Sequence, residues 1–182
     1  RILAAGKRHG LAPMIHADQI TDTGGAALAA ETGALSADHL EQSNLEGLRR
    51  MAAAGVVAVT LPIASLYLGQ RPVSGALLRE AGVRIAVATD FNPGSAPSCH
   101  LPFAMTLAAT MQRLTPAEIL KGVTIHAAAA IGLADEVGSI EVGKRADLAL
   151  VRAASVEEWI YHFQANAVSL VVAGGRPMRT EA

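Results

Sequence analysis

Residues 83–95 read Val-Arg-Ile-Ala-Val-Ala-Thr-Asp-Phe-Asn-Pro-Gly-Ser. Val83 to Thr89 is the most apolar β-branched run of the chain, so it predicts a strand covered on both faces. It ends on the carboxylate of Asp90 and opens into a loop stiffened by Pro93 and Pro97. Upstream, Pro72 to Ala81 carries a helical pattern and Val56 to Ala64 a further β-branched run. Before these, Asn44 is placed to cap a helix over Leu45 to Ala54 that Gly55 ends. Leu35 to Leu40 and Leu11 to Ile15 are two more strand candidates, separated by a helical pattern over Gly25 to Thr32. Four strands alternating with helices predict a parallel sheet with covering helices, which is half of an eightfold α/β barrel.

Downstream the pattern changes to consecutive helices, Leu101 to Arg113, Pro116 to Val123 and Ile125 to Leu133. Thr115, Pro116 and Glu118 have the spacing of a capping box with proline at the first helical position. The tail turns to β structure, with strands expected over Ser139 to Val142, Ala146 to Val151 and Val168 to Ala173 and a helix over Val156 to Phe163. The economical division is residues 1–135 as a partial barrel with extra helices and residues 136–182 as part of a small β-sandwich subdomain.

Composition narrows the function. With 15 Lys+Arg against 16 Asp+Glu the net charge is -1, and aromatic residues are only 3% of the 182 residues, which argues against a nucleic-acid partner. The single cysteine, Cys99, excludes an intramolecular disulfide framework and a multi-cysteine zinc site. No apolar stretch reaches the roughly 18 residues of a membrane span, and no signal peptide is visible, so a cytoplasmic location is expected. The chain opens on Arg1 within an apparent helix. The expectation is a longer protein, with a further half-barrel of roughly two hundred residues upstream.

The chemistry falls where strands end. His16 closes the first strand, His39 the second, and Asp90 follows the fourth. In a parallel barrel these ends converge on one mouth, where two imidazoles and a carboxylate can bind a metal and manage its water. A lone histidine at a strand end is more often structural, but three such positions in register point to a site. His9, His100 and His162 have no partner pattern and read as solvated or structural, and His126 reads as a helix-packing or capping residue. Cys99 lacks the base and oxyanion-hole pattern of a nucleophile.

The order His, His, Asp resembles the fifth, sixth and eighth strands of the metal-dependent amidohydrolase superfamily. Within it, His16-Ala17-Asp18-Gln19, Leu35-Ser36-Ala37-Asp38-His39-Leu40-Glu41 and Ala88-Thr89-Asp90-Phe91-Asn92-Pro93-Gly94-Ser95 resemble the imidazolonepropionase family. The stretch from Val137 to Leu148 is similar to the strand pair that closes the superfamily's small β domain. The resemblance implies His16 and Asp90 as metal ligands, with zinc or iron as the single ion. It implies His39 and Asp90 as catalytic residues, the first stabilising a developing oxyanion and the second moving the proton of the attacking water. Gln19, Asn92, Gly94 and Ser95 match substrate-binding positions. Separately from the resemblance, the strand edges of an opened half-barrel favour self-association, so a homodimer is an expected assembly.

The family's His-x-His pair, two further metal ligands, is absent from these residues, as are the substrate-binding groups of its other half. The implied reaction is hydrolysis of the cyclic amide of 4-imidazolone-5-propanoate to N-formimidoyl-L-glutamate, with this chain inactive alone. Two alternatives stand beside it: another metal-dependent cyclic amidohydrolase or deaminase, and a non-catalytic fragment serving as an assembly module.

Overall fold

The computed structural model of the chain describes residues 1–163 and 166–178, so 164–165 and 179–182 of the expected 136–182 unit lie outside the described residues. After α1 (Ile2–Arg8), four strands, β1 (Met14–Ala17), β2 (Ser36–His39), β3 (Val57–Thr60) and β4 (Ile85–Val87), lie side by side in chain order. Each neighbouring pair is parallel. Parallel neighbours need a crossover, and helices supply it: α2 (Gly25–Thr32), α3 (Leu45–Ala54), then the pair α4 (Pro62–Tyr67) and α5 (Gly75–Ala81).

The local reasons are readable. Asn44 Oδ1 accepts the Gly47 N–H at 2.8 Å to start α3, and Gly55 ends it at φ 74. Leu48 and Met51 on α3, Leu78 on α5 and Val57 on β3 are fully buried in one core cluster. Each such side chain contributes about 1.5–3 kcal/mol. Gly75 allows a close approach, since its N–H donates to the Gln112 carbonyl at 3.1 Å and a Cβ there would sit 2.4 Å from that oxygen.

α6 (Leu101–Thr110), α7 (Pro116–Gly122) and α8 (Ile125–Ala130) follow, the last two packing on β4. The expected capping box is present at the start of α7. His126 Nδ1 meets the Ile85 carbonyl at 2.9 Å, so this histidine packs α8 onto β4 as the sequence suggested. Burial holds its pKa below the ordinary histidine value, although the Ile85 bond opposes the shift.

A separate antiparallel sheet holds β5 (Leu148–Val151), β6 (Val168–Ala173) and β7 (Arg176–Met178), in that order. Between β5 and β6, α9 (Val156–Tyr161) packs on α6 and α7 and places Ile160 in the main core. Thr106 Oγ1 donates to the Ile160 carbonyl, and the Phe103 and Phe163 rings lie 5.4 Å apart.

Three sequence expectations are corrected. The Val56 to Ala64 run is a strand only as far as Thr60, because Pro62 opens the first turn of α4. Ser139 to Val142 is not a strand: Ile140 and Val142 are 89% and 108% exposed, between Gly138 and Gly143 at φ 91 and 93. Alternating Ile and Val there meet no partner strand among the described residues. β7, which carries Pro177, is not among the strands expected from the sequence. Gly174 and Gly175, at φ 55 and 78, make the tight hairpin that pairs it with β6.

Candidate active site

Because the four strands are parallel, their C-terminal ends lie on one side of the sheet. Asp18 (φ 48), His39 (φ 78), Leu40 (φ 69) and Asp90 (φ 54) adopt left-handed backbone there. Such conformations cost of order 1–3 kcal/mol each in non-glycine residues and mark functional sites when clustered. Here they turn the chain sharply out of β1 and β2 and set Asp90 just beyond β4.

His16 and His39 meet, their ring centroids 4.2 Å apart at an interplanar angle of 42°. His16 Nε2 lies 3.0 Å from Gln19 Oε1, so Gln19 orients the ring. His39 is only 3% exposed, and its Nε2 faces Asp90 Oδ2 at 3.9 Å while Nδ1 lies 3.6 Å from Glu41 Oε1. Neither separation is a formed hydrogen bond. The structure thus brings His16, Gln19, His39 and Asp90 together.

Asn92 organises the loop after β4. Its Oδ1 accepts the N–H groups of Gly94 and Ser95 at 2.9 and 2.8 Å, while Nδ2 donates to the Asp90 carbonyl at 2.7 Å and to Ser95 Oγ at 3.1 Å. The Gly94 and Ser95 N–H groups are therefore spent on Asn92, and the loop is rigid beside the carboxylate.

Two carboxylates had been given no role. Asp18 is buried, and Oδ1 accepts from the Thr23 and Gly25 N–H groups at 3.0 and 2.9 Å while Oδ2 accepts from Ala26 N–H at 3.0 Å. Burial raises its pKa, but these bonds and that of Ser43 outweigh it and leave the carboxyl below its ordinary value. Asp38 stands opposite His16 in the ladder and accepts from Ser36 Oγ at 3.2 Å. Burial, its largest influence, pushes its pKa up against the opposing effects of Ser36, His39 and His16, and Asp90 adds to the rise. The Asp-x-x-x-x-Thr spacing into α2 was the available signal for Asp18; for Asp38 only the alternation along β2 could have given one.

His16 and Asp90 offer an imidazole and a hard carboxylate, donor types suited to zinc or iron. No group of three or more metal-ligating side chains forms among the described residues. Two such donors do not by themselves complete a metal site.

The chain belongs to the amidohydrolase family, whose model matches residues 2–178. It is 50% identical over 176 residues to the imidazolonepropionase of Geobacillus thermodenitrificans, covering 97% of this chain and 42% of that protein. The imidazolonepropionase of Cupriavidus pinatubonensis is 48% identical over 177 residues, with 97% and 42% covered. The chain therefore spans about two fifths of the length of these relatives. Among solved structures, an adenosine deaminase from Xanthomonas campestris with bound zinc superposes with a TM-score of 0.82 at 24% identity, covering 97% of this chain and 47% of that one. An atrazine chlorohydrolase mutant from Arthrobacter aurescens, complexed with zinc and atraton, gives 0.80 at 20% identity, covering 96% and 45%. These two establish likeness of fold alone.

Proposed function

We propose that these residues form the C-terminal part of a hydrolase that opens the cyclic amide of 4-imidazolone-5-propanoate to N-formimidoyl-L-glutamate. The observation that carries this reading is the meeting of His16, His39 and Asp90 at one end of the sheet, in a chain half identical to imidazolonepropionases. In this reading β1 to β4 are strands five to eight of a (β/α)8 barrel. Residues 1–135 then belong to the barrel and 136–182 to a small β-sandwich subdomain.

The reaction adds a water oxygen to the ring carbonyl carbon and breaks its bond to nitrogen. Asp90 accepts the proton of the attacking water and returns it to the departing nitrogen. His39, in its charged form, donates Nε2–H to the carbonyl oxygen as negative charge develops. Gln19 faces the ring, and the loop of Asn92, Gly94 and Ser95, stiffened by its internal hydrogen bonds, shapes the place for the ring and its propionate. A metal ion, held in part by His16 and Asp90 with further ligands from outside these residues, would lower the pKa of its water to about 7. Zinc or iron as that ion rests on the family resemblance; a homodimer, expected from the open strand edges, and a cytoplasmic location, expected from the sequence composition, belong to the same reading.

The test is to express the whole protein and supply imidazolonepropanoate beside a panel of other cyclic amides and aminated heterocycles. Formation of formimidoylglutamate is the expected result. Turnover of a panel member with none of imidazolonepropanoate would overturn the substrate assignment.

A further inference from the structure

Two buried polar atoms beside the site are without hydrogen-bond partners among the described residues, His39 Nδ1 and Glu41 Oε2. They belong to neighbouring side chains that are 3% and 1% exposed, with Nδ1 3.6 Å from Glu41 Oε1. A buried donor or acceptor left unmatched costs about 1–3 kcal/mol, and an Nδ1–H turned to this carboxylate would give both side chains a partner. The same Oε1 is held by Ser65, fully buried on α4, which donates its hydroxyl to it at 2.9 Å. The carboxylate is thus anchored on the segment that follows β3 and aimed at the imidazole that ends β2. Hydrogen bonds of active sites are often long before substrate binds, and a separation of 3.6 Å is compatible with such a bond.

We propose that Glu41, anchored by Ser65, is the positioning residue for His39: its carboxylate accepts the Nδ1–H and leaves Nε2 as the working nitrogen turned to Asp90. An ionised carboxylate only accepts, so Nδ1 keeps its hydrogen in both the neutral and the charged ring. Nε2 is then the nitrogen left to face the reacting groups, 3.9 Å from Asp90 Oδ2. The ring also packs against that of His16, with centroids 4.2 Å apart. This inference rests on the reading of His39 as a working residue, but its test does not use turnover.

The test is nitrogen NMR of this chain labelled with 15N-histidine, at a pH about two units above the ordinary histidine pKa of ~6.5, with His39 assigned by its loss in His39→Asn. The expected result is an Nδ1 resonance of the protonated type for His39. Glu41→Leu should move it to the lone-pair type while circular dichroism stays unchanged. A lone-pair Nδ1 in the wild-type chain would overturn the proposal, and that measurement needs no variant. So would a folded Glu41→Leu chain in which Nδ1 stays protonated. Loss of the tautomer leaves the reaction assignment standing, and failure of the substrate panel leaves the tautomer standing.

Discussion

Ser43 donates its hydroxyl to Asp18 Oδ2 at 2.7 Å, tying the residue that follows β1 to the loop that follows β2. The same carboxylate receives the first N–H groups of α2, so one side chain fixes both a helix start and the spacing of two strand ends. Asp18→Ala should therefore cost about 2–4 kcal/mol, since it leaves several buried donors unmatched. Asp18→Asn should cost less, because asparagine tolerates the left-handed backbone found there. Urea unfolding of the chain measures both, and equal losses would show that the charge and the second accepting oxygen of Asp18, which asparagine lacks, carry the whole contribution.

Glu118 provides a pH signature. Burial alone would raise its pKa, but bonds from the Thr115 N–H and hydroxyl and from Arg79 hold it below the ordinary value of 4.5. A depressed carboxylate stabilises the fold above its unfolded pKa, and the contribution fades as pH falls through 4.5 toward the folded value. The advantage of wild type over Glu118→Gln should be about 1 kcal/mol at pH 7 and should shrink below pH 4.5. Unfolding midpoints at the two ends of that window measure it. A constant difference would mean that the carboxylate's charge contributes nothing.

Gly75→Ala tests the close contact between the start of α5 and the turn after α6. The added methyl would meet both the Gln112 carbonyl and Leu114 Cδ2, the latter at 2.8 Å. Backbone cannot yield as a flexible side chain does, so a loss of about 1–3 kcal/mol is expected. A midpoint within experimental error of wild type would show that the two segments separate freely.

In the whole protein, Asp90→Asn should lower turnover about 10²–10⁴-fold while the fold is retained. Gln19→Ala should chiefly raise the Michaelis constant, as expected of a residue whose contact is shared by ground and transition states. Steady-state kinetics separates the two. An unchanged Michaelis constant would assign Gln19 to orienting His16, the contact seen here.

The strand and helix alternation was legible because each element carried its own local signal. Asn44 and Gly55 bracket α3, and Thr115 with Glu118 announces α7. The strand ends gave up His16, His39 and Asp90 because polar residues stand out after apolar runs. What stayed hidden depends on tertiary placement. Glu41 looks like an ordinary surface carboxylate in sequence, and only the approach of Ser65 from another unit makes it a buried partner. Asn92 reads as a ligand-binding amide, yet its hydrogen bonds are spent inside its own loop. Ser139 to Val142 carries a strand pattern that only a pairing partner could have satisfied.

Ile160 of α9 sits in the core built by the parallel sheet and its helices, although α9 is threaded between two strands of the small antiparallel sheet. The two sheets are therefore not interchangeable modules. Grafting the small sheet onto another scaffold would carry away a plug from the larger unit, and trimming the chain after α8 would uncork apolar surface on α6. A recombinant boundary that respects this packing has to keep α9 with the parallel sheet, which means cutting inside the smaller sheet or nowhere.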